Sequence, residues 1–306
     1  MNSNTEPISY IYLETTNYCN LKCSFCNREE VIGKLQHMSL EKFDVLLSKI
    51  KNEPVKEAKL MGMGEPFLHP QFSEVCKIFK DYFPESFLIV ATNCQYKFSP
   101  KFTEALKYID LLYFSIDGYK QSYERDRSPA TWEKLLKFLN DFKDTERYGC
   151  RVTINYVVNK NNINDIQNIN DEILIPYNLE ELRLNIAQDW TEDSSLIAGY
   201  TSRQIDYLKN NWKKNIKGKS PWNYSNCFWP KNGLYITVDG RVLMCALNTS
   251  AEGFGNIFYQ SLDEIRNSEK YSEVRESCNK NQPSQHCNNC SYKELEPILS
   301  NLGVNN

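Results

Sequence analysis

The sequence predicts an α/β fold of six strand-helix units, followed by a smaller cysteine-rich segment. Apolar, β-branched runs alternate with amphipathic helical stripes over roughly the first two thirds of the 306 residues. After about residue 220 the pattern changes to short strands, an Asp-Gly turn and scattered cysteines. Strand-helix alternation alone fits a doubly wound sheet as well as a barrel, so the arrangement of the six units stays open at this point.

The six strands are predicted from apolar runs bounded by turn-forming and polar residues. They cover residues 8–14, 57–61, 86–92, 111–116, 151–158 and 180–187.

Helical stripes lie between these strands. Ser39 is a good N-cap for a helix whose apolar face contains Leu40, Phe43, Leu46, Leu47 and Ile50. A second stripe places Cys76 among core residues; its members are Phe72, Val75, Cys76, Phe79 and Phe83. Further helical patterns occur at residues 105–108, 132–142 and 163–173, and one at 201–214 bridges to the second segment.

Composition and charge exclude two classes of partner. Lys plus Arg is 36 and Asp plus Glu is 39, so there is no general basic field for a nucleic acid. The sequence contains no apolar run long enough for a membrane span and no export signal at its amino terminus, so we expect a cytoplasmic protein. In a reducing cytoplasm, its 11 cysteines indicate metal or redox chemistry rather than disulfides.

Three of these cysteines form a tight group directly after the first strand. Cys19, Cys23 and Cys26 have C-x3-C-x2-C spacing, which lets one loop place three thiolates around a soft-metal centre. A structural zinc site would require four ligands, so three ligands indicate a centre with an open position. Loops at the carboxyl ends of parallel strands are where α/β folds place their chemistry.

This cysteine loop, with the aromatic Phe25 before the third cysteine, resembles that of the radical S-adenosylmethionine (radical SAM) superfamily. The resemblance implies a partial (β/α)6 barrel and a [4Fe-4S] cluster whose open iron binds S-adenosylmethionine. Cleavage then gives methionine and a 5'-deoxyadenosyl radical, which abstracts a hydrogen atom from the substrate. A flavodoxin- or ferredoxin-type protein would supply the electron.

Later strand ends carry further residues of this resemblance. Gly62-Met63-Gly64-Glu65-Pro66 is similar to the family's Gly-Gly-Glu motif, with Met63 in place of one glycine, so Gly64 and Glu65 would hold the methionine amino group. Asn93 would face the cavity, in a Thr-Asn-Cys sequence where the family has Thr-Asn-Gly. Ser115 and Asp117 would face the ribose and methionine portion, and Arg127 would pair with the methionine carboxylate.

The carboxyl-terminal segment resembles the SPASM and twitch extensions of the same superfamily. Two strands joined at Asp239-Gly240 bring Cys227 close to Cys245, and Cys287 and Cys290 form a C-x2-C pair. A zinc ribbon is an alternative for these four thiols. The resemblance implies instead one auxiliary [4Fe-4S] cluster, giving two clusters in all. The predicted domains are residues 1–200, a bridge at 201–220 and the auxiliary module at 221–306.

The predicted reaction is a two-electron oxidation of a small carbohydrate-like molecule, with the auxiliary cluster as electron acceptor. The sequence has no extra leader-binding domain before residue 8, which favours a small molecule over a precursor peptide. A peptide-modifying enzyme and a radical epimerase remain alternatives, and Cys278 or Cys94 would be the hydrogen donor of an epimerase. A non-catalytic electron-transfer protein is the most distant alternative. Trp190 is a candidate for the substrate cavity.

Overall fold

The strands of the described residues form one eight-stranded sheet. The computed structural model describes residues 6–186, 227–246 and 252–282, together with Cys287. The strands of this part are β1 (Tyr10–Leu13), β2 (Glu57–Lys59), β3 (Phe87–Thr92), β4 (Leu111–Ser115), β5 (Arg151–Val158), β6 (Leu182–Ile186), β7 (Gly233–Ile236) and β8 (Val242–Leu243).

Strands β1 to β6 are parallel, and each pairs with the next along the chain. The full order is β6-β5-β4-β3-β2-β1-β7-β8. A doubly wound sheet reverses its strand order at a switch point near its first strand, which these six strands do not do. The order is that of an open (β/α) barrel, so the predicted α/β class is confirmed.

The α-helices of the described part follow the predicted stripes. They are α1 (Arg28–Val31), α2 (Leu40–Ile50), α3 (Phe72–Tyr82), α4 (Pro100–Leu106), α5 (Gln121–Asp126), α6 (Trp132–Lys143), α7 (Ile166–Ile169), α8 (Trp229–Asn232), α9 (Leu262–Arg266) and α10 (Glu269–Asn279). As predicted, the Ser39 hydroxyl accepts from the Lys42 N–H at 3.3 Å and caps α2. Cys76 is fully buried on α3, as its stripe predicts. None of the described helices has the length and hydrophobicity that a membrane span requires.

The two faces of the sheet have different chemistry. Because side chains alternate along a strand, one face packs on the helices and the other lines the barrel interior. The helix-packed face is apolar; it includes Ile11, Leu13, Ala58, Leu88, Val90, Leu112, Phe114, Val152 and Ile154. The barrel face includes Tyr12, Lys59, Ile89, Tyr113, Asn155 and Arg183, which the strand registers place on one side. Polar groups are therefore concentrated on the barrel face.

The carboxyl-terminal hairpin belongs to the same sheet. Strand β7 pairs in parallel with β1, and β8 pairs with β7 in antiparallel fashion. The predicted turn is present, with Gly240 at φ +85°, a conformation that glycine adopts without strain. The hairpin therefore extends the barrel sheet, whereas the sequence placed it in a separate module. The edge of β1 explains this difference, because its unpaired backbone groups need a partner strand.

Three predicted features lie outside the described residues. They are the bridging helix at residues 201–214, Trp190 and Cys290.

Candidate active site

The cysteine loop follows β1 and is held by backbone hydrogen bonds to the segment after β2 and to the end of helix α5. The Glu65 N–H donates to the Tyr18 carbonyl at 2.7 Å, which joins the loop to the end of β2. The Lys22 and Ser24 N–H groups donate to the Ser128 and Asp126 carbonyls at 2.6 and 2.9 Å. These contacts fix the loop at the carboxyl ends of the strands, where the sequence predicts the chemistry.

A buried arginine closes the other end of this loop. Arg28 donates to the Asn17 carbonyl from Nε at 3.1 Å and from Nη2 at 2.9 Å. Asn17 in turn accepts from the Gln36 N–H at 2.7 Å. Arg28 and Gln36, which follow the cysteine loop, are thereby held against Asn17, which precedes it.

The donor set in the loop fits an iron-sulfur centre. Cys19, Cys23 and Cys26 are free thiols, and Cys26 is exposed. Burial raises the pKa of Cys19 and of Cys23, that of Cys23 to about 12, so their thiolate form requires a nearby cation. Iron would supply that charge, since metal binding displaces thiol protons. No group of three Cys, His, Asp or Glu side chains in the described part of the chain is arranged around one metal ion.

Gly64 allows the cysteine loop to pack against the end of β2. A Cβ at this position would overlap the Thr16 carbonyl oxygen and lie 2.8 Å from the Tyr18 carbonyl oxygen. Both are backbone atoms and cannot move aside without moving the loop. The sequence explained this glycine by close approach to a ligand; the structure shows close approach to the cysteine loop itself.

Glu65 lies fully inside the site. Its Oε2 accepts from the Asn93 N–H at 2.7 Å and its Oε1 from the Phe67 N–H at 3.2 Å. Burial raises the pKa of this carboxyl to about 7, although these N–H groups act in the opposite direction. Each oxygen has a second lone pair, so the carboxylate can still accept from an ammonium group.

Asn93, which the resemblance places facing the cavity, makes hydrogen bonds with the cysteine loop. Its Nδ2 donates to Asn20 Oδ1 at 2.8 Å and lies 3.9 Å from Cys19 Sγ, and its Oδ1 accepts from the Gln95 N–H at 2.8 Å. The side chain therefore joins the end of β3 to the cysteine loop. Asn20 strengthens this link by donating to the Gln95 carbonyl at 2.7 Å.

Cys94 stands where the family usually has glycine, and its backbone conformation explains why glycine suits this position. Its φ is +57°, in the left-handed region that glycine occupies at no steric cost. The thiol is fully buried, 3.9 Å from the Thr92 carbonyl oxygen, and burial raises its pKa well above the usual value. Such a thiol is packed in the core and is not presented to a substrate.

Asp117 forms a buried ion pair with Arg127. Asp117 is fully buried; its Oδ2 accepts from Arg127 Nε at 2.5 Å and its Oδ1 from the Val157 N–H at 2.5 Å. Burial raises the pKa of Asp117 and opposes charge on Arg127, but the carboxylate beside it raises the pKa of Arg127 above its usual value. The role expected for Asp117 against the ribose stays a prediction, and the structure adds a second role in holding Arg127.

Arg127 joins this buried pair to the cysteine loop. Its Nη1 lies 3.9 Å from Cys23 Sγ, and its guanidinium lies 5.5 Å from the centre of the Phe25 ring. Phe25 therefore meets Arg127 beside the thiols, where the resemblance places the methionine carboxylate. Ser115 is half-buried at the end of β4, on the barrel face of the sheet.

The carboxyl-terminal cysteines gather on the other side of β1. Cys227 is buried with Trp229, Tyr235 and Leu243, and Cys245 and Tyr12 pack against the same group. Cys278 is on α10, and its Sγ lies 3.8 Å from Cys287 Sγ. Negative charge on Cys227 and Cys245 would raise the pKa of Cys278, so these thiols are also near it. The predicted proximity of Cys227 and Cys245 is confirmed, and Cys278 lies beside a predicted ligand. A hydrogen bond from Cys287 lowers the pKa of Cys278.

Family comparison decides what this arrangement is. The model of the radical SAM superfamily matches residues 13–173, more than half of the chain. The chain belongs to the radical SAM superfamily. The model of the SPASM iron-sulfur cluster-binding domain matches residues 227–291, the segment with the second group of cysteines.

One curated relative and two solved structures are similar to most of this chain. A Pyrococcus furiosus protein described as a tungsten-containing aldehyde ferredoxin oxidoreductase cofactor-modifying protein is 24% identical, over 94% of this chain and 88% of its own. The S-adenosylmethionine complex of Streptococcus suis SuiB is similar in fold, with a TM-score of 0.68 and 16% identity over 89% of this chain and 68% of SuiB. BtrN, solved with AdoMet and 2-DOIA, has a TM-score of 0.56 and 15% identity over 90% and 89% of the two chains.

Sequence reasoning missed one carboxylate of this radical SAM site. Glu14, at the end of β1, is buried; its Oε1 accepts from the Met63 N–H at 2.6 Å and its Oε2 from the Val238 N–H at 3.0 Å. It thereby joins the loop after β2 to the carboxyl-terminal hairpin, and burial raises its pKa. An acidic residue at the end of an apolar strand, just before the cysteine loop, is the signal that could have identified it.

Proposed function

We propose that this chain oxidises a small carbohydrate-like molecule by radical S-adenosylmethionine chemistry. When bound, the two clusters and S-adenosylmethionine supply a one-electron reductant, a hydrogen-abstracting radical and an electron acceptor. The oxidation would remove two protons and two electrons from the substrate: one hydrogen atom would go to the deoxyadenosyl group, one proton to solvent and one electron to the auxiliary cluster. The first electron comes from a flavodoxin- or ferredoxin-type protein.

The observation that carries this proposal is the position of the two cysteine groups on one strand. The cysteine loop follows the carboxyl end of β1, while Cys227 and Cys245 pack with Tyr12 on the barrel face of that same strand. An electron acceptor placed against the barrel interior suits a net oxidation better than a redox-neutral reaction. Cluster potentials span a wide range and are tuned by their surroundings, so electron acceptance is chemically reasonable.

This chain's own residues would bind and orient the cofactor. Glu65 would accept from the methionine ammonium group, and Arg127 would pair with the methionine carboxylate. Three further residues would act indirectly. Gly64 and Asn93 would hold the cysteine loop in place, and Asp117 would hold Arg127. Ser115 would face the ribose from the end of β4.

A peptide-modifying reaction is the second candidate. SuiB, whose fold this chain shares, has been solved with the precursor peptide SuiA bound. An epimerase requires a thiol near the substrate. Cys94 is fully buried in the core, and Cys278 is buried beside Cys287, which favours oxidation over epimerisation.

We expect product formation to consume S-adenosylmethionine and to release one 5'-deoxyadenosine per oxidised product. The assay uses the anaerobically reconstituted chain, a chemical reductant and panels of sugars, aminocyclitols and peptides, with both products quantified by mass spectrometry. Cys23→Ala should abolish 5'-deoxyadenosine release, while Cys76→Ala, a buried cysteine on α3 away from the loop, should retain it.

Two results would contradict this assignment. Oxidised product without 5'-deoxyadenosine would exclude radical chemistry. A product whose mass equals that of the substrate in ordinary water, and which gains one deuterium in deuterated water, would indicate epimerisation instead.

A further inference from the structure

The barrel face of the sheet brings together two cations that no step above uses. Lys59 extends from β2 and Arg183 from β6, and both lie on the face opposite the helices. Two tyrosines frame them. Lys59 Nζ donates to the Tyr12 hydroxyl at 2.6 Å, and the Arg183 guanidinium donates to the Tyr113 hydroxyl.

Both cations also lie against aromatic rings. Lys59 Nζ is 4.7 Å from the centre of the Tyr12 ring, and the Arg183 guanidinium carbon is 5.3 Å from that of Tyr113. Packing of this kind orients a cation without neutralising it. The Lys59 side chain is only 15% exposed, so little water screens its charge.

The carboxylates nearby offset these charges only in part. Within residues 6–186, 227–246 and 252–282, Glu57 forms an ion pair with Lys59, with its Oε1 3.7 Å from Nζ, and its own side chain is 38% exposed. In the same residues Arg183 has no carboxylate within ion-pair distance. Burial lowers the pKa of Lys59, the Glu57 carboxylate raises it, and the nearby Arg183 charge lowers it.

Keeping two cations together on a shielded face costs free energy that an apolar pair would not. A chain retains such an arrangement where a ligand supplies the opposite charge. A lysine and an arginine fork that approach from different strands suit the oxygens of a carboxylate or phosphate group.

We propose that Lys59 and Arg183 bind an anionic group of the substrate, a carboxylate or a phosphate, at the barrel face of the sheet. This inference rests on the proposed function, since it names the substrate class of that same site. The neighbouring Asn155 and Asn185 amides, which bond to each other at 2.7 Å, continue the polar surface towards the strand ends. Hydroxyl groups of the same substrate would meet them.

Anion titration of the cluster-loaded full chain tests this site without knowledge of the substrate. The Tm is measured against sodium phosphate and, separately, sodium acetate, with sodium chloride keeping the ionic strength constant. We expect a saturable rise in Tm with at least one anion, and the anion that acts distinguishes phosphate from carboxylate recognition. Lys59→Met and Arg183→Met should each raise the half-saturating concentration about tenfold, the effect of losing one charge-assisted contact.

Controls separate binding from folding. Lys77→Met removes an exposed lysine of α3 and should leave the titration unchanged. In the absence of added anions, the Tm of Lys59→Met should equal or exceed that of the unmodified chain, because a shielded charge is replaced by an apolar group. Arg183→Lys keeps the charge and should bind more tightly than Arg183→Met.

The inference is overturned if neither anion gives a saturable response in the unmodified chain. It is equally overturned if both methionine variants titrate like that chain. Failure of the proposed function gives a different result: no 5'-deoxyadenosine forms, while the anion titration still responds to Lys59 and Arg183.

Discussion

Gly64→Ala is expected to dislodge the cysteine loop. The added Cβ would overlap the Thr16 carbonyl oxygen and lie 2.8 Å from that of Tyr18, and both atoms belong to the backbone of the loop. Overpacking against rigid backbone typically destabilises by up to about 3 kcal/mol, and we expect this upper value in the free energy of unfolding. The Glu65 N–H to Tyr18 hydrogen bond would be lost with it, so cluster loading should fall as well.

Gly33→Ala is the matched control. A Cβ at Gly33 would meet no atom within 4 Å, although this residue also follows the cysteine loop. Urea unfolding and iron content after reconstitution check both variants. Equal stability and equal iron content in the two variants would show that Gly64 does not seat the loop.

Asp117→Asn is expected to be the second most damaging substitution. It leaves Arg127, whose side chain is only 8% exposed, without its counter-ion, and it weakens the bond from the Val157 N–H. Breaking a buried pair by removing one partner costs about 3–5 kcal/mol, because the remaining charge stays buried. Arg127 lies beside Cys23 and Phe25, so S-adenosylmethionine binding should weaken too.

An exposed pair and a double variant serve as controls. Lys77 and Asp81 form an ion pair at 2.6 Å in which both side chains are more than half exposed, so Asp81→Asn should cost less than about 1 kcal/mol. Asp117→Asn combined with Arg127→Met should recover part of the stability lost by Asp117→Asn alone, since no unpaired charge remains. If urea unfolding shows Asp117→Asn to be as mild as Asp81→Asn, the buried pair does not stabilise the site.

The sequence predicted the strands, the two cysteine groups and the Asp-Gly turn because each depends on local order along the chain. Periodicity places Phe43 or Phe79 on a buried helix face without knowledge of any partner. Cysteine spacing is similarly local. These features therefore agree with the structure.

The local sequence pattern could not predict which distant residues these side chains contact. Asn93 and Asp117 follow strands as predicted, yet their side chains bind Asn20 and Arg127, which lie 73 and 10 residues away along the chain. The left-handed φ of Cys94 explains its place in a glycine position only once the turn is seen. Likewise, the pairing of β7 with β1 depends on which strand edge is open, which the sequence of neither strand reveals.

We propose that this chain holds two clusters, one of which has an open iron for S-adenosylmethionine. Electron paramagnetic resonance of the reconstituted, dithionite-reduced chain tests this proposal, with iron counted in the same samples. We expect about eight irons per chain and two signals, because three plus four thiolate ligands serve two four-iron clusters. One signal should change on addition of S-adenosylmethionine and disappear in Cys23→Ala. Four irons with a single signal that S-adenosylmethionine leaves unchanged would show that the chain does not hold these two clusters.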